Sequence, residues 1–86
     1  TYNLENAPTV NFTLHNSSLK SIPLIIPNVM NPNLSPMSNS GVSLKMGQKI
    51  YYKMGSKKVV LLTVDDAIKP GDKIDVAKLI RDIKKD

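Results

Sequence analysis

The stretch Val42-Ser43-Leu44-Lys45-Met46-Gly47-Gln48-Lys49-Ile50-Tyr51-Tyr52-Lys53-Met54-Gly55-Ser56-Lys57-Lys58-Val59-Val60-Leu61-Leu62-Thr63-Val64 decides the fold class. Val42, Leu44 and Met46 recur with the period of two that puts alternate side chains on one face of a strand. Gly47-Gln48 supplies a tight turn, and Ile50, Tyr52 and Met54 then form the inner face of a second strand. After a further turn at Gly55-Ser56, Lys57 to Val64 sets β-branched Val59, Val60 and Val64 around Leu61 and Leu62. That run is apolar on both faces, the pattern expected of a strand central in its sheet.

The same alternation extends towards the N-terminus. Val10, Phe12 and Leu14 oppose Asn11, Thr13 and His15, and Asn16-Ser17-Ser18 reads as a turn. Ile22, Leu24 and Ile26 continue the pattern. Pro23 lacks a backbone N–H, so this segment is expected to be an edge strand or to carry a bulge. Residues 27 to 41, rich in Pro, Asn and Ser, read as a long loop without structure of its own, and such loops often carry function. Residues 1 to 8 read as a flexible lead-in.

Towards the C-terminus, Asp65-Asp66 ends the apolar strand. Pro70-Gly71 has the preset φ and the positive-φ residue of a type II turn, and a short extended stretch is expected around Ile74. The period then changes to that of a helix over residues 76–85, with Val76, Leu79, Ile80 and Ile83 on one stripe. Asp75 stands at the N-cap position, and Lys84-Lys85 occupy the end where the helix dipole favours cations. The expected architecture is a single domain over residues 1–86, mainly β, with its β-rich core at 9–75. It is a small immunoglobulin-like β-sandwich of five or six strands with a short C-terminal helix; an oligonucleotide/oligosaccharide-binding (OB) type barrel is the alternative.

Composition narrows the chemistry. At 86 residues there is room for one core, and without Cys neither disulfides nor thiolate metal sites are available. The apolar runs Leu24-Ile25-Ile26 and Val59-Val60-Leu61-Leu62 are far shorter than the roughly 20 residues that span a bilayer, so no transmembrane segment is expected. Thr1 in place of an initiating Met is what signal-peptide removal leaves, as does any other trimming, and it points to a secreted or periplasmic setting. Of the net charge of +5, all arises after residue 43, because Lys20 and Glu5 cancel before it. Such asymmetry can mark an anionic partner; more often it is only a soluble face.

Catalysis usually recruits His, Cys or paired carboxylates. His15 is the one histidine; it reads as an exposed strand-end residue with no partner nearby in sequence, and no catalytic role or cofactor is expected. Asp65, Asp66, Asp72 and Asp75 could ligate calcium, but each has a local task closing a strand, a turn or a helix. Met30, Met37, Met46 and Met54 with His15 could suggest copper(I). Met46 and Met54 read better as core, which leaves Met30 and Met37 in the long loop. Asn11-Phe12-Thr13 and Asn16-Ser17-Ser18 both match the N-glycosylation acceptor pattern.

The strongest surface signal is Lys49-Ile50-Tyr51-Tyr52-Lys53. Alternation puts Lys49, Tyr51 and Lys53 on one face, a stacking ring between two cations, with Lys45, Lys57 or Lys58 placed to extend it. The competing reading is a solvated sheet face whose lysines discourage edge pairing. The basic side of the terminal helix, Lys78, Arg81, Lys84 and Lys85, offers little area for membrane insertion.

Leu44 to Tyr52, Leu61-Leu62-Thr63-Val64 and Gly71-Asp72-Lys73-Ile74-Asp75-Val76 together resemble small secreted Bacteroidetes proteins of unknown function. The resemblance covers about half the chain and implies export and a compact β-rich fold. It carries no catalytic or ligand residues. The expected function is therefore a non-catalytic binding module for a protein or polysaccharide. It would use Met30, Asn33 and Met37 in the loop 28 to 41 together with Lys49, Tyr51 and Lys53. A single-stranded nucleic-acid or anionic-polysaccharide binding barrel is the alternative, with poverty in aromatics counting against nucleic acid.

Overall fold

The structure, a computed structural model, describes residues 7–84, so most of the lead-in and residue 85 of the expected helix lie outside the described residues. Within them the chain runs β1 (Thr9–Asn16), β2 (Ile22–Ile25), β3 (Asn33–Leu34), β4 (Ser38–Lys45), β5 (Lys49–Met54), β6 (Lys57–Thr63), β7 (Lys73–Asp75) and α1 (Val76–Lys84). The strands form two sheets, ordered β4-β1-β7 and β3-β2-β5-β6. The protein is mainly β with one short C-terminal helix. Its strands number seven rather than five or six, because the two-residue β3 was not expected.

Alternation works as expected in β1, which buries Val10, Phe12 and Leu14. β1 pairs antiparallel with β4 on one side and parallel with β7 on the other. Inward residues of both sheets and of the helix merge into one cluster: Leu14, Leu44 and Val76 meet Leu24, Ile26, Ile50 and Val64. Full burial of each such side chain contributes about 1.5–3 kcal/mol.

Three turns are set by glycine at positive φ. Gly47 (φ 94) lies in the β4–β5 turn, closed by Gln48 N–H donating to Lys45 C=O, and Gly71 (φ 87) lies in the turn closed by Asp72 N–H donating to Lys69 C=O. Gly55 (φ 62) opens the two-residue β5–β6 hairpin, in which Met54 faces Lys57. This last turn has the handedness that matches strand twist.

Residues 27 to 41 are not one structureless loop. Ile26 and Met30 form a bridge around a turn in which Asn28 takes φ 64. β3 pairs with β2, Met37 takes φ 53 with its N–H on Ser18 C=O, and β4 begins at Ser38 instead of Val42. Polar Ser38 to Ser40 hides this half of the strand, although Ser40 lies opposite Leu14 in register.

β2 is not an edge strand, since it lies between β3 and β5. Leu24 N–H donates away from β5, to Pro32 C=O, so by alternation the nitrogen of Pro23 faces β5. Pairing with β5 covers only Leu24 and Ile25, and the missing donor falls where the ladder ends.

β6 is not central but forms an edge of its sheet. The cause of the misleading pattern is a bulge: Ile50 pairs with Leu62 and Tyr51 with Val60, leaving Leu61 extra. Across a bulge the inward parity changes. Val59 and Leu61 point inward before it, Leu62 and Val64 after it, and Val60 is 45% exposed. Lys57 and Lys58 then charge the free edge, as edge strands require.

Among the described residues, Asn16 is the one polar residue with a fully buried side chain. Its amide donates to the carbonyls of Lys20, Leu34 and Ser35 at 2.7, 3.2 and 3.1 Å, and its Oδ1 accepts from the N–H and hydroxyl of Ser18. The residue therefore ties the β1–β2 turn to the end of β3. A glycan at Asn16 is incompatible with this burial, whereas Asn11 is exposed.

Asp75 caps α1 by accepting from Lys78 N–H at 3.2 Å, and it takes the Ser17 hydroxyl at 2.9 Å on both carboxylate oxygens. Burial pushes its carboxyl up. The Lys78 N–H, the Ser17 hydroxyl, the charge of His15 and the Ala77 N–H outweigh that and hold it below its ordinary 3.8. A lowered carboxyl stabilises the fold at neutral pH, and the contribution is lost as pH falls through the folded-state value. Melts from pH 6 to pH 2 should show an acid-side loss of stability that flattens in Asp75→Asn, a variant that keeps a good capping residue. Parallel acid limbs for the two proteins would contradict the assignment.

Candidate binding face

The outer face of the β3-β2-β5-β6 sheet gathers the residues singled out on β5. Lys49 and Lys53 are exposed, Tyr51 is half-buried on the same face, Ile50 is fully buried and Tyr52 packs against the core. Register extends the face sideways. Tyr51 lies opposite Ile25 of β2 and Val60 of β6, so Ile25, Tyr51 and Val60 form an apolar row across three strands.

Cations surround this row. Lys58 Nζ lies 4.9 Å from the centroid of the Tyr51 ring, within cation–π range, and Lys53 and Lys58 face each other across the hairpin. Like charges directly opposite one another are unfavourable, and an anion seated between them would relieve the repulsion. Between residues 44 and 64 there are five lysines, Lys45, Lys49, Lys53, Lys57 and Lys58, and no acid. At the other end of the row, Lys49 and Tyr51 border a concavity of about 300 Å³ shared with Pro27, Asn28 and Gln48.

The loop residues divide. Asn33 pairs with Pro23, so β3 carries it onto this same face one row from Tyr51, and it is exposed. Met30 sits past the C-terminal end of β2 beside Ile26, while Met37 is held at the Ser18 end. The fold thus does not bring their thioethers together. Met46 packs on the core, and Met54 lies half-buried at the β5–β6 hairpin. Soft-metal binding through several methionines finds no common site among them.

His15 is not the isolated strand-end residue expected. It is half-buried, its Nδ1 lies 2.6 Å from Asn39 Oδ1, and register sets it beside Asp75. Ser17 donates to the carboxylate, not to the imidazole. That arrangement fixes the β1–β2 turn against the start of α1. Of the other acids, Asp65 accepts from Ala67 N–H and Asp72 from Lys69 N–H, local tasks within turns. Among the described residues no three His, Cys, Asp or Glu side chains group as metal ligands.

Ile25 and Val60 could be added to the face only from register, since Ile25 lies within the continuous apolar run Leu24-Ile25-Ile26 and the parity of Val60 is hidden by the bulge. No described helix is long and apolar enough to cross a membrane. The fold and this face define a mainly β domain with an amphipathic, cationic sheet surface. Comparison with protein-family models, with curated proteins and with solved structures finds no match to the chain.

Proposed function

We propose that the chain is a non-catalytic binding module, secreted or periplasmic, that captures an anionic polysaccharide on the Lys49, Tyr51 and Lys53 face. The observation that carries this reading is the outward-facing row of half-buried Ile25 and Tyr51 and exposed Val60, rimmed by Lys49, Lys53 and Lys58 in a segment without acids. A ring and two aliphatic side chains suit the apolar face of a sugar, and the lysines suit its sulfates or carboxylates. With one tyrosine in the row, successive bases of a single strand lack the stacking partners that such binding uses. The sandwich form of the fold and a kinship with secreted Bacteroidetes proteins are part of the same proposal. They are supported by two sheets that share one core and by the stretch from Leu44 to Tyr52.

An amide NMR titration with a sulfated polysaccharide at low and physiological salt tests it. Saturable shifts centred on Lys49 to Lys53 and on Val60 are expected. The double variant Lys49→Glu/Lys53→Glu should weaken binding about tenfold, the equivalent of about 1.4 kcal/mol. Its stability should stay within about 0.5 kcal/mol of the parent, because both sites are exposed and the change at residue 53 removes a like-charge pair. Undiminished binding by the variant, or tighter binding of a single-stranded oligonucleotide, would overturn the assignment.

A further inference from the structure

A second concavity lies on the opposite side of β5, where α1 crosses the sheet. Its floor is Tyr52, Ala77 and Ile80, and its rim carries Lys20, Arg81 and Lys84. Helical spacing explains the helix contribution: residues 77, 80, 81 and 84 share one side of α1, where the buried Ala77 and Ile80 belong to the core together with Val76, and Leu79 and Ile83 pack half-buried against it. Lys84 Nζ stands 6.0 Å from the Tyr52 ring centroid, at the limit of a cation–π contact, so the ammonium is held above an aromatic surface. Among the described residues no acidic side chain lines the groove.

Three cations over an apolar floor call for a ligand with both characters. The groove measures about 230 Å³. Since an apolar cavity of about 150 Å³ accepts benzene, this one has room for a ring or short alkyl group plus one acidic group. It lies below the roughly 300 Å³ at which drug-sized pockets begin. Arg81 can fork two N–H donors onto a carboxylate or phosphate, and Lys20 and Lys84 add point charge.

We propose that the α1–β5 groove is a binding site for a small amphipathic anion, its apolar part on Tyr52 and Ile80 and its acidic group on Arg81 and Lys84. Alternation separates this site from the polysaccharide face: Tyr51 points outward and Tyr52 inward, so the two sites occupy opposite sides of one strand. The inference does not depend on the reading of the outer face.

Phenyl phosphate is the probe, with neutral benzyl alcohol and inorganic phosphate as controls, followed by amide and Tyr ring NMR shifts. Phenyl phosphate should saturate with shifts at Tyr52, Ala77, Ile80 and Arg81, and each control should bind at least about tenfold more weakly. The variant Arg81→Gln/Lys84→Gln should lose about tenfold in affinity with its melting transition intact, and Lys49→Glu/Lys53→Glu should bind as the parent does. Equal binding of benzyl alcohol, shifts centred on Lys49 to Lys53, or undiminished affinity in the Gln variant would overturn the proposal.

Discussion

Asn16→Ala is expected to lower the unfolding free energy by about 3 kcal/mol, and the melting temperature by about 15 °C. The alanine removes three donated and two accepted hydrogen bonds at a site of zero exposure. It leaves the carbonyls of Lys20, Leu34 and Ser35 without that donor. A typical intramolecular hydrogen bond contributes about 1 kcal/mol net, and a buried group left unpaired costs more. Against a total stability of about 5–15 kcal/mol this is a large fraction. Asn16→Asp should be no milder, because a carboxylate would face three carbonyl oxygens. Ser18→Ala removes only the hydroxyl's share and should cost about 1 kcal/mol. Thermal melts of the three variants check the order, and a loss below about 1 kcal/mol for Asn16→Ala would deny the residue its tying role.

Leu14→Ala should cost about 4 kcal/mol, measured as a lower urea midpoint at unchanged slope. Leu14 has no exposed surface, stands in the middle strand of its sheet, and faces Ser40 on one neighbour and Ile74 on the other. Two flanking strands limit the collapse of backbone into the vacated volume, so most of the cavity should persist. Val60→Ala, on the outer face at 45% exposure, should change stability by under about 1 kcal/mol. Similar losses for the two variants would mean that the parity assigned around the bulge is wrong.

What could be read from sequence was whatever local patterning controls. β1, the β4–β5–β6 succession, the glycine turns and the Asp75 cap all follow from periods and φ requirements within a few residues. Three features escaped for separate physical reasons. β3 is two residues long and has no period. The first half of β4 sets half-buried Ser38 and Ser40 where apolar residues would have announced a strand. Leu61 and Leu62 looked like the two faces of a central strand because a bulge supplies adjacent inward residues by another route.

The candidate sites divide in the same way. Lys49, Tyr51 and Lys53 lie on one strand, so period two alone brings them together. Ile25, Val60 and Asn33 join them only through register, which neighbours in sequence do not encode. The groove formed by Tyr52, Arg81 and Lys84 depends on where the helix lands, and nothing near any of those residues marks it in advance.

The parallel pairing of β1 with β7 sets the order of events in time as well as in space. Thr13, Leu14 and His15 take Lys73, Ile74 and Asp75 as partners, so the sheet that buries Leu14 closes between strands from the two ends of the described chain. Non-local pairing of this kind slows folding, since loop closure must come before the contacts that offset it. One edge of β1 can be taken by β4 early, whereas the other stays open until the last strand, β7, arrives to pair with it.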